Sequence, residues 1–173
     1  MSVDIWLHGT LTARTTLKSA GRKILLEYTD EARSRYRGGA PILSCSLPST
    51  PGPAAPHAAR AFLEGLLPEG RALATAASRL RGVELDSAGA PATLADAVAL
   101  LAEYGRECAG AVVVMPSGDP PPAGGHPSAR LTDAELTDLI RDLPARPLGA
   151  DPSRDIRMSL SGSIETRLRR YAA

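Results

Sequence analysis

The chain has 173 residues, a formal net charge of +1 at pH 7 and an apolar fraction of 43%. This size fits one compact domain, and the apolar content is too high for a wholly disordered chain. The balanced charge argues against a general binder of nucleic acid or membrane surfaces, and the complete lack of Asn and Gln excludes any mechanism that needs a side-chain amide.

The first third of the chain predicts short strands joined by tight turns. Apolar and polar residues alternate over residues 3–8, a Thr-rich extended pattern follows at 11–17, and residues 23–28 are apolar. Three consecutive strands separated by short turns indicate an antiparallel meander. A further short strand, bracketed by prolines, is predicted at residues 41–48.

The pattern then becomes helical. Residues 49–56 are rich in Pro, Ala and Gly and predict an exposed loop, after which a helix begins at His57. A Pro-Glu-Gly step interrupts it at residues 68–70, and a second helix is predicted over 71–81.

Capping signals define the last two helices. Thr93 opens a T-x-x-D capping box before a helix that should end at Gly105, and Thr132 opens a similar box before another helix. A buried strand is predicted between them at residues 111–115, followed by a Pro-rich loop at 116–127, and a last strand at 156–160. The order of elements predicts an α+β fold, with an N-terminal meander packed against about four helices.

A few scarce side chains are assigned to the interior. Cys45 and Cys108 are predicted to be buried small hydrophobes, with a single disulfide as the alternative. Trp6 and Phe62 are predicted core residues because aromatic side chains make up only 3% of the chain. The absence of a signal-peptide pattern and of a long apolar run leads us to expect a soluble, cytoplasmic protein without contact to a membrane.

The search for catalytic chemistry leaves one weak candidate. The histidines and cysteines do not have metal-ligand spacing, the carboxylates fall where helix capping explains them, and no G-x-S-x-G motif occurs. The S-L-S-G-S string at residues 159–163 has the small residues and hydroxyl groups that can cradle a phosphate. A common turn explains the same string. The basic C-terminal end is similarly interpreted as a solvated tail or as a contact for an anionic partner.

Six segments follow one another in an order typical of one protein family. They lie at residues 41–48 (P-I-L-S-C-S-L-P), 61–70 (A-F-L-E-G-L-L-P-E-G), 100–111 (L-L-A-E-Y-G-R-E-C-A-G-A), 131–136 (L-T-D-A-E-L), 147–149 (P-L-G) and 156–162 (I-R-M-S-L-S-G). Together they resemble the N-terminal part of the HipA family, the serine/threonine kinase toxins of bacterial toxin–antitoxin modules. The resemblance extends over nearly the whole chain.

The resemblance assigns roles near the C-terminus. It implies that Ser159 is a phosphorylation site and that Leu160, Ser161, Gly162 and Ser163 are what remains of the loop over the nucleotide phosphates. A phosphate on that serine would repel the phosphates that the loop holds. The sequence then departs from the family pattern A-G-x-Q-x-K, because Ile and Thr replace its Gln and Lys at residues 164 and 166. The kinase lobe of the family lies beyond that point.

Two functions remain open at this stage. We expect an N-terminal HipA-like subdomain at residues 1–153 and a degenerate loop with a basic tail at 154–173. The first hypothesis is a non-catalytic module without a cofactor, which binds a HipA-type kinase lobe or a HipB-like helix-turn-helix antitoxin, since some relatives split the kinase into two chains. It predicts an exposed apolar patch. The alternative is a truncated, inactive fragment of a kinase that uses ATP and Mg. DNA would be reached only through a partner.

Overall fold

The fold is built on one four-stranded antiparallel sheet, seen in a computed structural model that describes residues 1–19, 21–108, 111–120 and 132–142. The first three strands form the predicted meander. The fourth strand pairs with the free side of the first, which gives the order β3-β2-β1-β4. The strands are β1 (Ser2–Leu7), β2 (Thr10–Lys18), β3 (Lys23–Tyr28) and β4 (Val112–Pro116).

Five α-helices accompany the sheet in the described part of the chain, so the predicted α+β class is confirmed. Four of them match the predicted helices, and a short 3-10 turn follows the fourth one in chain order at Gly105–Glu107. The helices are α1 (Asp30–Arg35), α2 (Pro56–Glu64), α3 (Gly70–Ser78), α4 (Leu94–Tyr104) and α5 (Asp133–Asp142).

Both predicted capping boxes are present. The Thr93 hydroxyl accepts the Asp96 amide proton at 3.2 Å, and the Asp96 carboxylate accepts the Thr93 amide proton at 2.9 Å. Thr132 and Glu135 make the same exchange at 3.3 and 2.9 Å. These reciprocal bonds satisfy amide groups that the first turn of a helix leaves without partners.

One face of the sheet, here called the core face, holds the hydrophobic core. Val3 and Ile5 of β1 are fully buried, and the register sets Ile5 beside Ala13 of β2 and Val114 of β4. Helix α2 packs on β3, and α4 packs on β1 and β4. Removal of this apolar surface from water is the main stabilising term of the fold.

The strand predicted at residues 41–48 is wrong. This segment forms a tight turn in which the Leu47 amide donates to the Ser44 carbonyl at 2.9 Å, while the Ser46 amide donates to the Ser44 hydroxyl. The Tyr28 hydroxyl donates to the Leu47 carbonyl at 2.6 Å, and the Leu47 side chain is fully buried. A side-chain hydrogen bond and one buried leucine therefore hold the segment in place of a strand ladder.

Helix α1 is not among the predicted elements, although its start carries a capping signal. The Thr29 hydroxyl accepts the Ala32 amide proton at 3.1 Å, and Asp30 and Glu31 occupy the first turn. The neighbouring loop prediction at residues 49–56 holds only in part, because Ser49 is buried and α2 already begins at residue 56.

The two cysteines differ. Cys108 is buried, as predicted, whereas Cys45 is exposed near the tip of the turn at residues 41–48, so its predicted burial is wrong. Both thiols are free, so the alternative of a disulfide does not apply. Phe62 is half-buried and packs against the core cluster, which agrees with its predicted role.

Candidate interaction surface

The predicted phosphate loop lies outside the described residues. This applies to Ser159, to residues 160–163, to the last predicted strand and to the boundary proposed between residues 153 and 154. In the part of the chain that the structure describes, no helix has the length and apolar character needed to cross a membrane. The candidate site is therefore built from the sheet, the helices and their connections.

The family-like segment at residues 61–70 has a structural role. Leu63 and Leu67 are buried in the core cluster. Gly70, with a φ of +57°, begins α3 in a backbone conformation that favours glycine. These residues pack and turn the chain, and none of them offers a reactive group.

The family-like segment at residues 100–111 is also structural. A Cβ atom on Gly105 would lie 2.7 Å from the Cβ and 2.8 Å from the carbonyl oxygen of Val114, so the close approach of the 3-10 turn to β4 requires glycine. The Cys108 thiol donates to the Gly105 carbonyl at 3.3 Å, and burial raises the pKa of that thiol to about 12. A thiol that stays protonated at neutral pH is a poor nucleophile.

Residues 1–19, 21–108, 111–120 and 132–142 do not form a metal site. No group of three or more His, Cys, Asp or Glu side chains comes together there in a way that could hold a metal ion. The buried carboxylate of Asp96 has its partner in the Thr93 cap.

The opposite face of the sheet, here called the outer face, carries a row of charged residues. Asp4 of β1 lies beside Arg14 of β2, and Arg14 lies beside Glu27 of β3. Opposite charges on neighbouring strands attract each other. The Ser117 hydroxyl donates to the Asp4 carboxylate at 2.7 Å, which compensates for the burial of that carboxylate.

Apolar side chains surround this charged row. Trp6 lies beside Leu11 of β2 and Val113 of β4, and Leu25 occupies the same face of β3. All four are half-buried, and none belongs to the core cluster of the described residues. The prediction that Trp6 is a core residue is therefore wrong, because strand alternation turns it away from Ile5 and the helices.

Polar groups also lie on and beside the outer face. Arg106 pairs with Asp119 at 3.0 Å, and its guanidinium also lies 3.9 Å from the Met115 sulfur. The indole nitrogen of Trp6 is buried and has no acceptor in the described part of the chain.

The predicted exposed apolar patch is not found in the described residues. Met1 is the one large hydrophobic side chain there that is counted as exposed, at 70%. The apolar side chains of the outer face are half-buried. Only parts of them are exposed, so they do not form an open hydrophobic surface. Such a surface fits an interface that mixes apolar and charged contacts.

Comparisons with known proteins give one family and one fold. A family model described as the HipA N-terminal domain matches residues 3–115. The structure is similar to HipA of Shewanella oneidensis, solved in a toxin–antitoxin complex of HipA, HipB and operator DNA, with a TM-score of 0.57 and 21% sequence identity. The match covers 82% of this chain and 29% of that HipA chain. A comparison with curated proteins found no match.

Proposed function

The chain belongs to the HipA family through its N-terminal domain, and from this membership we propose that it is a non-catalytic binding module of a toxin–antitoxin system. Its partner is a HipB-like helix-turn-helix antitoxin or a HipA-type kinase lobe. The solved HipA chain that shares this fold was captured with HipB and operator DNA, which supports an antitoxin partner. The observation that carries the proposal is the family match over residues 3–115.

We place the docking site on the outer face. Trp6 is the only tryptophan of the chain and lies half-buried at this face, beside Leu11 and Val113. Tryptophan is strongly enriched among the residues that contribute most to binding. The row of Asp4, Arg14 and Glu27 beside it gives the interface a fixed pattern of charges, which favours one orientation of the partner.

The surroundings of two potentially reactive groups support the proposed lack of catalysis. Cys108 is held as a protonated thiol by burial, and the carboxylate of Asp96 is engaged by the Thr93 cap. A chain without Asn cannot provide the amide that binds the second magnesium ion in protein kinases. We therefore expect that Mg-ATP leaves the melting temperature of the module unchanged.

A second candidate function is that of the N-terminal part of a full HipA-type kinase, inactive as this chain. The observation that favours it is that the chain spans only 29% of the similar HipA chain. In that case, the outer face would pack against the rest of the same kinase.

Binding assays test the module. A HipB-like helix-turn-helix protein and a HipA-type kinase lobe are each titrated against the chain by isothermal titration calorimetry, which needs no signal from Trp6. We expect heat of binding with the wild type, and a loss of affinity of about tenfold or more for Trp6→Ala. Leu85→Ala, a half-buried site in the connection between α3 and α4, is the control and should bind as the wild type does.

The outcomes separate the two candidates. Binding of the helix-turn-helix protein, weakened by Trp6→Ala but not by Leu85→Ala, supports the module and its docking site. Binding of the kinase lobe alone agrees with both candidates, because each places the outer face against a kinase. Equal binding by wild type and Trp6→Ala would move the docking site away from the outer face, and a lack of binding to either protein would favour the second candidate.

A further inference from the structure

The turn between β2 and β3 concentrates positive charge, and we infer that it contacts the phosphate backbone of duplex DNA. Lys18, Arg22 and Lys23 form this group, called here the basic hairpin. Residues 5–26 contain four basic residues and no acidic residue. This inference goes beyond the proposed function, and its test requires no protein partner.

The two lysines face each other across the strands. Lys18 of β2 and Lys23 of β3 are direct cross-strand partners at the end of the ladder, and both are exposed. Like charges in this position repel each other and weaken the hairpin. They are also the only two lysines of the chain. All the other residues in its total of Lys and Arg are arginines. An anion bound between them would turn the repulsion into attraction.

No acidic residue in the described part of the chain neutralises this group. The ion pairs found there lie on α1, on α2, between the 3-10 turn and the loop after β4, and on α5. Arg22, Lys18 and Lys23 therefore remain available to a ligand.

The turn of the hairpin is held in place. A Cβ atom on Gly21 would lie 3.1 Å from the Ala95 side chain, so the turn rests against the first turn of α4. The nearby Asp96 is 7% exposed and accepts bonds from Thr93, so it is directed inward to the cap.

The chemistry of the hairpin selects a phosphate backbone over a base edge. Its side chains include no aromatic ring on which a base could stack, and the whole chain lacks Asn and Gln, which read adenine. Lysine ammonium groups act as point charges that suit phosphates, and duplex DNA presents phosphates at regular, dense spacing. The contact is therefore independent of DNA sequence.

Direct contact of the hairpin with DNA differs from the expectation that DNA is reached only through a partner. That expectation rested on the lack of a legible helix-turn-helix and on the net charge of +1, which is summed over all 173 residues. A phosphate in contact with the hairpin interacts most strongly with the charges nearest to it, because the Coulomb energy falls with distance.

The test is a titration of a fluorescein-labelled DNA duplex of mixed sequence with the full chain at low salt, followed by fluorescence anisotropy. The variant Lys18→Ala/Arg22→Ala/Lys23→Ala is compared with Arg71→Ala/Arg79→Ala/Arg81→Ala, which removes the same charge from exposed positions in and after α3. We expect at least a tenfold loss of affinity, and a salt dependence flatter by about 2 to 3 units of slope, for the hairpin variant only.

A single charge reversal excludes unfolding as the cause. Lys18→Glu places opposite charges across the strands, so its melting temperature should equal or exceed that of the wild type while DNA binding falls. Equal losses in both triple variants, or no DNA binding by the wild type at low salt, would overturn the inference. So would displacement of DNA by polyglutamate at equal charge concentration, because an acidic protein would then be the better-fitting partner.

Discussion

The two faces of the sheet use the same strands for different purposes. On the core face, Val3 and Ile5 are fully buried, and α2 and α4 pack against the strands. On the outer face, Asp4 and Trp6 alternate with them along β1, in a mixture of charged and half-buried apolar side chains. Along the same strand, residues that stabilise the core thus alternate with residues proposed for recognition.

This separation shows where the family-like segments act. Leu47, Leu63 and Gly105 belong to those segments, and all three support the core or its turns. Trp6 and the basic hairpin lie outside every one of those segments. The family-like segments therefore identify the fold, while the residues proposed for binding must be found from the geometry of the sheet.

The largest effect on the free energy of unfolding is expected when a core-face residue of β1 is replaced. Ile5→Ala removes a fully buried side chain and is expected to lower the free energy of unfolding by about 2–5 kcal/mol. Arg14→Ala, at an exposed outer-face position of the neighbouring strand, is expected to change it by no more than about 0.5 kcal/mol. Urea denaturation measures both, and equal costs for the two variants would contradict the separation of the faces.

Gly105 tests how closely the core face is packed. Gly105→Ala adds a Cβ atom 2.7 Å from Val114, so the 3-10 turn and β4 must move apart, at an expected cost of about 1–3 kcal/mol. Gly38→Ala is the matched control, because Gly38 lacks a positive φ and has no neighbour within 4 Å of an added Cβ. Equal stability of the two variants in urea denaturation would contradict the close approach of the 3-10 turn to β4.

Alkaline pH should weaken the core face through Cys108. Its pKa is raised by burial from 9.0 to about 12, so the unfolded chain releases this proton at a lower pH than the folded chain does. The stabilisation is complete below pH 9 and declines by about 1.4 kcal/mol per pH unit as the pH rises toward 12. Denaturation at several pH values should show a flatter decline for Cys108→Ala. Parallel curves would contradict this account.

The smallest effect is expected at the hairpin end of the outer face. Lys18→Glu replaces a like-charged cross-strand pair by an ion pair with Lys23 and should raise the free energy of unfolding by about 0.2–1 kcal/mol. Thermal melts at low and high salt measure the gain, which should shrink as salt rises. A gain that salt does not change would point to a non-electrostatic cause.

Local patterns predict much of the fold. The period-two alternation of β1 and the capping boxes at Thr93 and Thr132 identify elements whose signals lie within a few residues of each other. The turn at residues 41–48 is misassigned because its position depends on the Tyr28 hydroxyl, a contact across 19 residues of sequence. Helix α1 is missed although the hydroxyl of Thr29 and the acidic first turn indicate its start.

The candidate site is harder to predict than the fold. Because aromatic residues are scarce, the sequence predicts that Trp6 lies in the core. In the structure, its pairing with Leu11 and Val113 places it on the outer face. The opposition of Lys18 and Lys23 likewise depends on where the turn between β2 and β3 sets the register. The phosphate loop suggested at residues 159–163 lies outside the described residues and stays a prediction.

Because the two thiols differ in exposure, their labelling rates can report local unfolding of the chain. Cys45 lies exposed in a surface turn, whereas Cys108 is buried and protonated. A maleimide reagent should label Cys45 within its mixing time and reach Cys108 only when α4 and β4 separate. The appearance of doubly labelled chain in a mass spectrum would then time that separation, and a bound partner that stabilises the fold would slow it.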